Sequence, residues 1–119
     1  MIGSGIKEIF VIQHCVDMRK SFDGLLSEAR KLMLDPFDGE CLVFIGRCKR
    51  RIKILFGDKF GLWVCSRRFE ASAIKTDFRF LTEPSFVQVS EAELLMLLEG
   101  ARFTVSERAK IWRPKENHL

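Results

Sequence analysis

The sequence predicts a single α+β domain, a meandering antiparallel sheet with one amphipathic helix packed on a face and a shorter C-terminal helix nearby. Three observations predict it. Apolar residues recur at steps of three and four between Phe22 and Met33, the spacing of one helix face. The runs "CLVFI", "RIKILF" and "LWVCSR" follow one another with only "GRCKR" and "GDKFG" between them, connections of hairpin length. Finally, 119 residues, 47% of them hydrophobic, can supply one domain with its own core.

Taken in order, residues 1–5, "MIGSG", read as a flexible lead, and "EIFVIQHCV" reads as a first, mostly buried strand. In the helix that follows, Phe22, Leu25, Leu26, Ala29, Leu32 and Met33 share the inner side, while Arg19, Lys20, Glu28, Arg30 and Lys31 remain wet. Gly24 inside a helix costs about 1 kcal/mol relative to Ala, so either the helix starts irregularly or close packing requires a bare Cα there. Pro36 disfavours helical geometry at Asp35, and Gly39 supplies a positive φ, so "DPFDGE" ends the helix.

After the three-strand meander, "DFRFL" and "SFVQV" read as two further short strands with Pro84 in the link. Ser90 and Glu93 have capping-box spacing and open a second helix through "LLMLLE", which Gly100 closes. "TVSERAKIWRPKENHL" is expected to add a last helical turn before a frayed tail at 113–119. No repeat, low-complexity stretch or long linker divides the chain, so residues 1–119 are read as one domain.

Eleven Phe and two Trp without any Tyr suit a dry core, each buried Phe contributing roughly 1.5–3 kcal/mol. The cysteines Cys15, Cys41, Cys48 and Cys65 lack the short paired spacing of zinc sites and no secretory signal precedes them. A reduced, cytoplasmic chain is expected, with the thiols acting as small core hydrophobes. The apolar stretch "IFVIQHCV" is too short to span a bilayer. Neither His14 nor His118 falls in a nucleophile, metal or acid–base pattern, and Asp35, Asp38, Glu40 and Asp58 read as turn residues. No catalysis, metal or cofactor is expected.

With 20 Lys and Arg against 16 Asp and Glu, the formal charge of +4 says less than its placement. "RCKRRIK" packs Arg47, Lys49, Arg50, Arg51 and Lys53 into seven residues. If Ile52, Ile54 and Phe56 enter the core, Arg51 and Lys53 project from the other surface. If Leu62 and Val64 also point inward, Trp63, Cys65 and Arg67 join them there. Such a basic face with an indole suits nucleic acid, since cations neutralise phosphates and Trp stacks on bases. A solvated hairpin that blunts a sheet edge, with Trp63 in the core, is a second reading, and a protein-contact surface a third.

Arg19 and Lys20, at the start of the first helix, oppose its dipole at about 0.3–1 kcal/mol and are secondary candidates. In "SRRFE", an exposed Arg–Glu pair would contribute only about 0–1 kcal/mol. "LLMLL", residues 94–98, covers more than one helical stripe, so it is either deeply buried or offers a face to a partner.

In their order, "DMRKSFDGL", "DPFDGECLVF", "RRIKILFGDKFG", "SRRFE" and "VSEAELLMLLEG" resemble the TnpB accessory-protein family of insertion sequence sixty-six, its second-open-reading-frame family, over about residues 10–103. The name is shared with RNA-guided nucleases whose catalytic domain could not fit in a chain this short. The resemblance implies a bacterial protein of a mobile element, acting beside a separate transposase that supplies the strand-cutting carboxylates. The residues that carry it include Asp17, Arg19, Lys20, Asp23 and Gly24, then Asp35, Pro36 and Gly39, then Arg51, Lys53, Asp58, Gly61, Arg68 and Glu70. The chain departs from the family at Gly46, Arg47 and Cys48, where an Asn precedes basic residues, and at Gly57, where a Trp is usual. It departs again at "ASAIKTDFRFLTEP", which replaces an aromatic residue and a Trp-Pro pair.

The function expected is a non-catalytic transposition accessory factor that binds DNA, or bridges DNA and transposase, through Arg47, Lys49, Arg50, Arg51, Lys53 and Arg67, with Trp63 stacking. The competing expectation is a module that docks on the transposase through apolar surface, using residues 94–98 and the "KIWRP" tail, without touching DNA.

Overall fold

The first apolar run forms strand β1, Glu8–Ile12, buried at every position after Glu8. Successive strand residues point to opposite faces, so a strand buried throughout must be covered on both. The computed structural model describes residues 5–70, 77–78, 86–99 and 104–105, and there β1 sits inside a sheet with a helix on each side.

Helix α1, Phe22–Lys31, carries the chain over one face, and a 3-10 turn at Pro36–Asp38 returns it to β2, Glu40–Ile45. β2 pairs with β1 in parallel, Ile9 against Cys41 and Val11 against Val43. The expected meander then follows as β3, Arg51–Asp58, and β4, Gly61–Arg68, each antiparallel to its predecessor. A short β5, Asp77–Phe78, precedes β6, Phe86–Val89, which pairs antiparallel with β1. Helix α2, Glu91–Leu98, and β7, Thr104–Val105, complete the order, and β5 and β7 form a separate parallel pair.

The main sheet therefore runs β4-β3-β2-β1-β6. The α+β class and the shorter C-terminal helix are as expected, while the sheet is mixed because α1 is a crossover. A hairpin would make β1 and β2 antiparallel, whereas a connection carrying a helix allows parallel pairing.

Leu25 and Ala29 of α1 pack on Phe10, Ile12, Leu42, Phe44 and Leu55. Leu94 and Leu97 of α2 pack on the opposite face, against Ile9, Val11, Cys41, Val43, Ile52, Ile54 and Phe56. α2 starts with the expected capping box: Glu93 N donates to Ser90 Oγ at 3.1 Å and Ser90 N donates to Glu93 Oε1 at 2.8 Å.

α1 ends earlier than the periodicity suggests. Leu34 N donates to the Ala29 carbonyl and Met33 N to that of Arg30, the paired bonds of a Schellman motif. This puts Met33 at φ 60°, outside the helix and 89% exposed, and turns Leu34 inward in its place. Phe22, also expected inside, is about half exposed. Gly24 does lie within the helix, and a Cβ there would come 3.0 Å from Lys20 Cβ and Cγ, so the close-packing reading holds.

β1 stops at Ile12, which leaves His14 and Cys15 outside the strand. Thr104 and Val105 are strand rather than helical turn, and the rest of the expected tail, with Pro84 and Gly100, lies outside the described residues.

Candidate functional site

The β3–β4 register decides which cations can act together. It places Phe56 opposite Trp63, Ile54 opposite Cys65 and Ile52 opposite Arg67. Directly opposed residues share a face, so Trp63, Cys65 and Arg67 lie on the α2 side. Arg51, opposite Arg68, and Lys53, opposite Ser66, lie on the α1 side. The expected single basic face with an indole is thus divided in two. The cause is the tight turn joining Asp58 to Gly61, because a one-residue change in register moves every side chain to the other face.

Several candidates are engaged within the fold. Lys53 Nζ donates to the Lys20 carbonyl at 2.6 Å and ties β3 to the segment before α1. The Trp63 ring stacks on Phe56, centroids 6.1 Å apart, and its Nε1 donates to Asp58 Oδ2 at 3.0 Å. Asp58 also accepts from the Phe60 and Gly61 amides. The Trp63 bond and these amides hold its carboxyl below the usual range. Trp63 remains 54% exposed, but Phe56 is five residues from Arg51, ~17 Å along β3. The Arg67 guanidinium lies 5.1 Å from the Phe69 ring centroid.

Arg19 and Lys20 also acquire structural roles. Arg19 makes a forked bond to Asp17, with NH2–Oδ2 at 2.8 Å and Nε–Oδ1 at 3.1 Å, and its amide donates to Oδ1. These bonds bring the Asp17 carboxyl down to about 2 and raise the Arg19 guanidinium. Lys20 Nζ lies 3.6 Å from Glu28, a carboxylate that also faces Lys31 at 3.6 Å and His14 at 3.7 Å.

What the structure does gather is an arginine cleft at the opposite end of β3 from Trp63. Arg47, Arg50, Arg51 and Arg68 line a recess of about 790 Å³ between the 15–18 segment, the β2–β3 turn and residues 68–70. The walls are pinned by backbone. Val16 N donates to Ile45 O at 3.2 Å, Gly46 N to Arg51 O at 3.0 Å and Phe69 N to Arg50 O at 2.7 Å. Lys49 takes φ 58° at the turn, exposed but outside the cleft lining.

The two acids of the cleft are already committed. Asp17 is held by Arg19, and Glu70 accepts from Arg68 Nε at 3.0 Å and NH2 at 2.9 Å. Arg50 Nη2 donates to the neutral Glu70 carbonyl at 2.7 Å, and no described carboxylate pairs with its charge. The side chains of Arg47 and Arg51 make no hydrogen bond or ion pair with a described residue. The arrangement can therefore accept an anion.

Arg68 is a cleft residue that strand alternation alone did not place, and only its register partner Arg51 reveals it. The thiols also divide: Cys41 is buried, its thiol pushed up to about 12 by burial and then by Cys65, and Cys65 is partly buried. Cys15 and Cys48, expected in the core, are exposed and line the cleft. On α2, Leu94 and Leu97 are buried while Leu95 and Met96 are exposed, so the apolar run is buried on one side only. "KIWRP" lies outside the described residues. Among the described residues no three His, Cys, Asp or Glu side chains group as metal ligands, and no helix is long and apolar enough to cross a membrane.

Fold and site together define a small α+β domain with a cationic cleft beside an exposed hairpin turn. The chain belongs to the IS66 Orf2-like protein family, whose profile matches residues 7–108. That makes it an insertion-sequence accessory protein, associated with the transposition machinery, as the ordered motifs implied. It is also similar to the uncharacterized protein y4hO of Sinorhizobium fredii (strain NBRC 101917 / NGR234), 27% identical over 119 residues and covering 96% of each chain. No solved structure matches the chain.

Proposed function

We propose that this protein is a non-catalytic accessory factor of transposition that contacts DNA phosphates through the β2–β3 turn and the cleft behind it, and so bridges DNA and the element's transposase. The observation that carries the reading is that Arg47, Arg50 and Arg51 converge on one recess whose acids are neutralised by other arginines. Guanidinium groups that no described carboxylate compensates, gathered at a concave site, draw in a polyanion by releasing its counterions. Lys49, on the same turn, adds to this potential. Lys53, Arg19 and Lys20 contribute little, because each already holds a partner in the fold, and Trp63 and Arg67 face away.

The test is affinity for DNA at low and rising salt, for the protein and for the charge-reversed Arg47→Glu, Arg51→Glu double variant, with folding checked by circular dichroism. Binding that the variant abolishes supports the reading. Equal affinity in both proteins removes the turn from the interface.

A second reading rests on α2, where Leu95 is 52% and Met96 39% exposed beside their buried neighbours. Docking on the transposase through that face, without DNA contact, predicts transposase capture that survives the double variant and is lost in Leu95→Asp.

A further inference from the structure

We infer that the arginine cleft takes a single unpaired nucleic-acid strand rather than a duplex, an inference that rests on the nucleic-acid reading of this same site. Three features point there. The recess of about 790 Å³ lies within the ~300–1,000 Å³ typical of small-molecule sites, room for roughly one or two nucleotides. A duplex, whose major groove alone is ~12 Å wide, cannot enter it.

Nor can the turn enter the duplex. Major-groove readers use a helix or a free two-stranded ribbon. Here β2 and β3 are flanked by β1 and β4, so their turn stands at the rim of a sheet and not at the end of a projecting ribbon.

The guanidinium groups also differ in what they can still do. No described residue engages the Arg47 or Arg51 guanidinium, which leaves those donors to phosphate. Arg68 has its Nε–NH2 edge occupied by Glu70 while its side chain stays 62% exposed. A guanidinium held by one edge offers its planar face, the surface on which an unstacked base rests. Bases in a duplex present no such face. The division of labour is thus phosphate at Arg47 and Arg51 and base at Arg68. The cleft's small surplus of positive charge also suits the lower charge density of a single strand.

Fluorescence anisotropy with a short labelled DNA oligonucleotide, alone and annealed to its complement, tests this on the full chain. The single strand is expected to bind at least about tenfold more tightly, with a log–log salt slope of roughly −2 for about three phosphate contacts. Arg51→Ala is expected to weaken binding and make that slope shallower by about 0.7, whereas the Arg68→Ala, Glu70→Gln double variant, which removes the guanidinium face together with the acid it neutralises, weakens binding about tenfold with the slope unchanged. Both side chains are exposed, and matching thermal melts confirm that the variants fold.

Equal or tighter binding of the duplex would overturn the inference while leaving the nucleic-acid reading intact. A slope that falls with the Arg68→Ala, Glu70→Gln double variant as it does with Arg51→Ala would overturn the stacking role. Displacement of the strand by polyglutamate at equal charge would reassign the cleft to acidic protein surface. No binding of either oligonucleotide at low salt would remove both the inference and the reading beneath it.

Discussion

Replacing Lys53 by Met separates scaffold from interface at one position. Lys53 sits mid-strand in β3, opposite Phe44 on one side and Ser66 on the other, and its ammonium donates to the Lys20 carbonyl at 2.6 Å. A hydrogen bond from a charged donor is worth ~1.5–3 kcal/mol net. Methionine keeps most of the stem, so packing changes little, and water can reach the partly exposed Lys20 carbonyl, which trims the loss to about 1–2 kcal/mol. For a domain of this size that lowers Tm by roughly 4–8 °C.

Urea unfolding should show a lower midpoint at unchanged m-value, the mark of lost stability in an otherwise intact two-state protein. Affinity for single-stranded DNA at low salt should stay within about twofold, because the lost cation lies outside the cleft lining. Undiminished stability combined with lost DNA affinity would refute the assignment of Lys53 to the scaffold.

Three further outcomes are expected. Met33→Gly should stabilise the protein by about 0.5–1 kcal/mol in chemical denaturation, since the αL strain at φ 60° disappears and an 89% exposed side chain gives up little burial. Gly57→Val should destabilise it by about 1–3 kcal/mol, because a Cβ there meets the Pro36 carbonyl oxygen at 3.0 Å and the Phe37 ring at 3.2 Å, so the 3-10 turn must lift off β3. Asp17, with its folded pKa at about 2 and an ordinary value of 3.8, contributes stability that is complete above 3.8 and is lost as pH falls through about 2. Stability measured across that window should fall more steeply for the native chain than for Asp17→Asn.

What the sequence disclosed was what neighbouring residues determine. Ser90 and Glu93 carry their capping box in four consecutive positions, and the short "GRCKR" and "GDKFG" links force hairpins wherever they stand. The inner face of α1 was legible at Leu25 and Ala29, but the end was missed because Met33 occupies the left-handed position usually held by Gly. Long-range choices were not legible. Nothing in "EIFVI" says that β2 will lie beside it in parallel, a choice made by packing α1 over the sheet.

The candidate site turned on register. In β4, Leu62 and Val64 pack toward the α1 core while Cys65 packs toward the other, so apolar residues on both faces hid which side was outward. The charge cluster itself was visible as "RCKRR", yet its sorting was not. Lys53 and Arg19 find partners far from the turn or beside it, and Arg68 joins Arg47 and Arg51 only through pairing across two strands.

The most direct test of the cleft is amide chemical-shift mapping as a short single-stranded oligonucleotide is added to isotope-labelled protein. Shifts confined to residues 15–18, 46–51 and 68–70, with the Trp63 indole N–H unmoved, are the predicted result. Shifts centred on Trp63 or on α2, with the arginine turn silent, would contradict it.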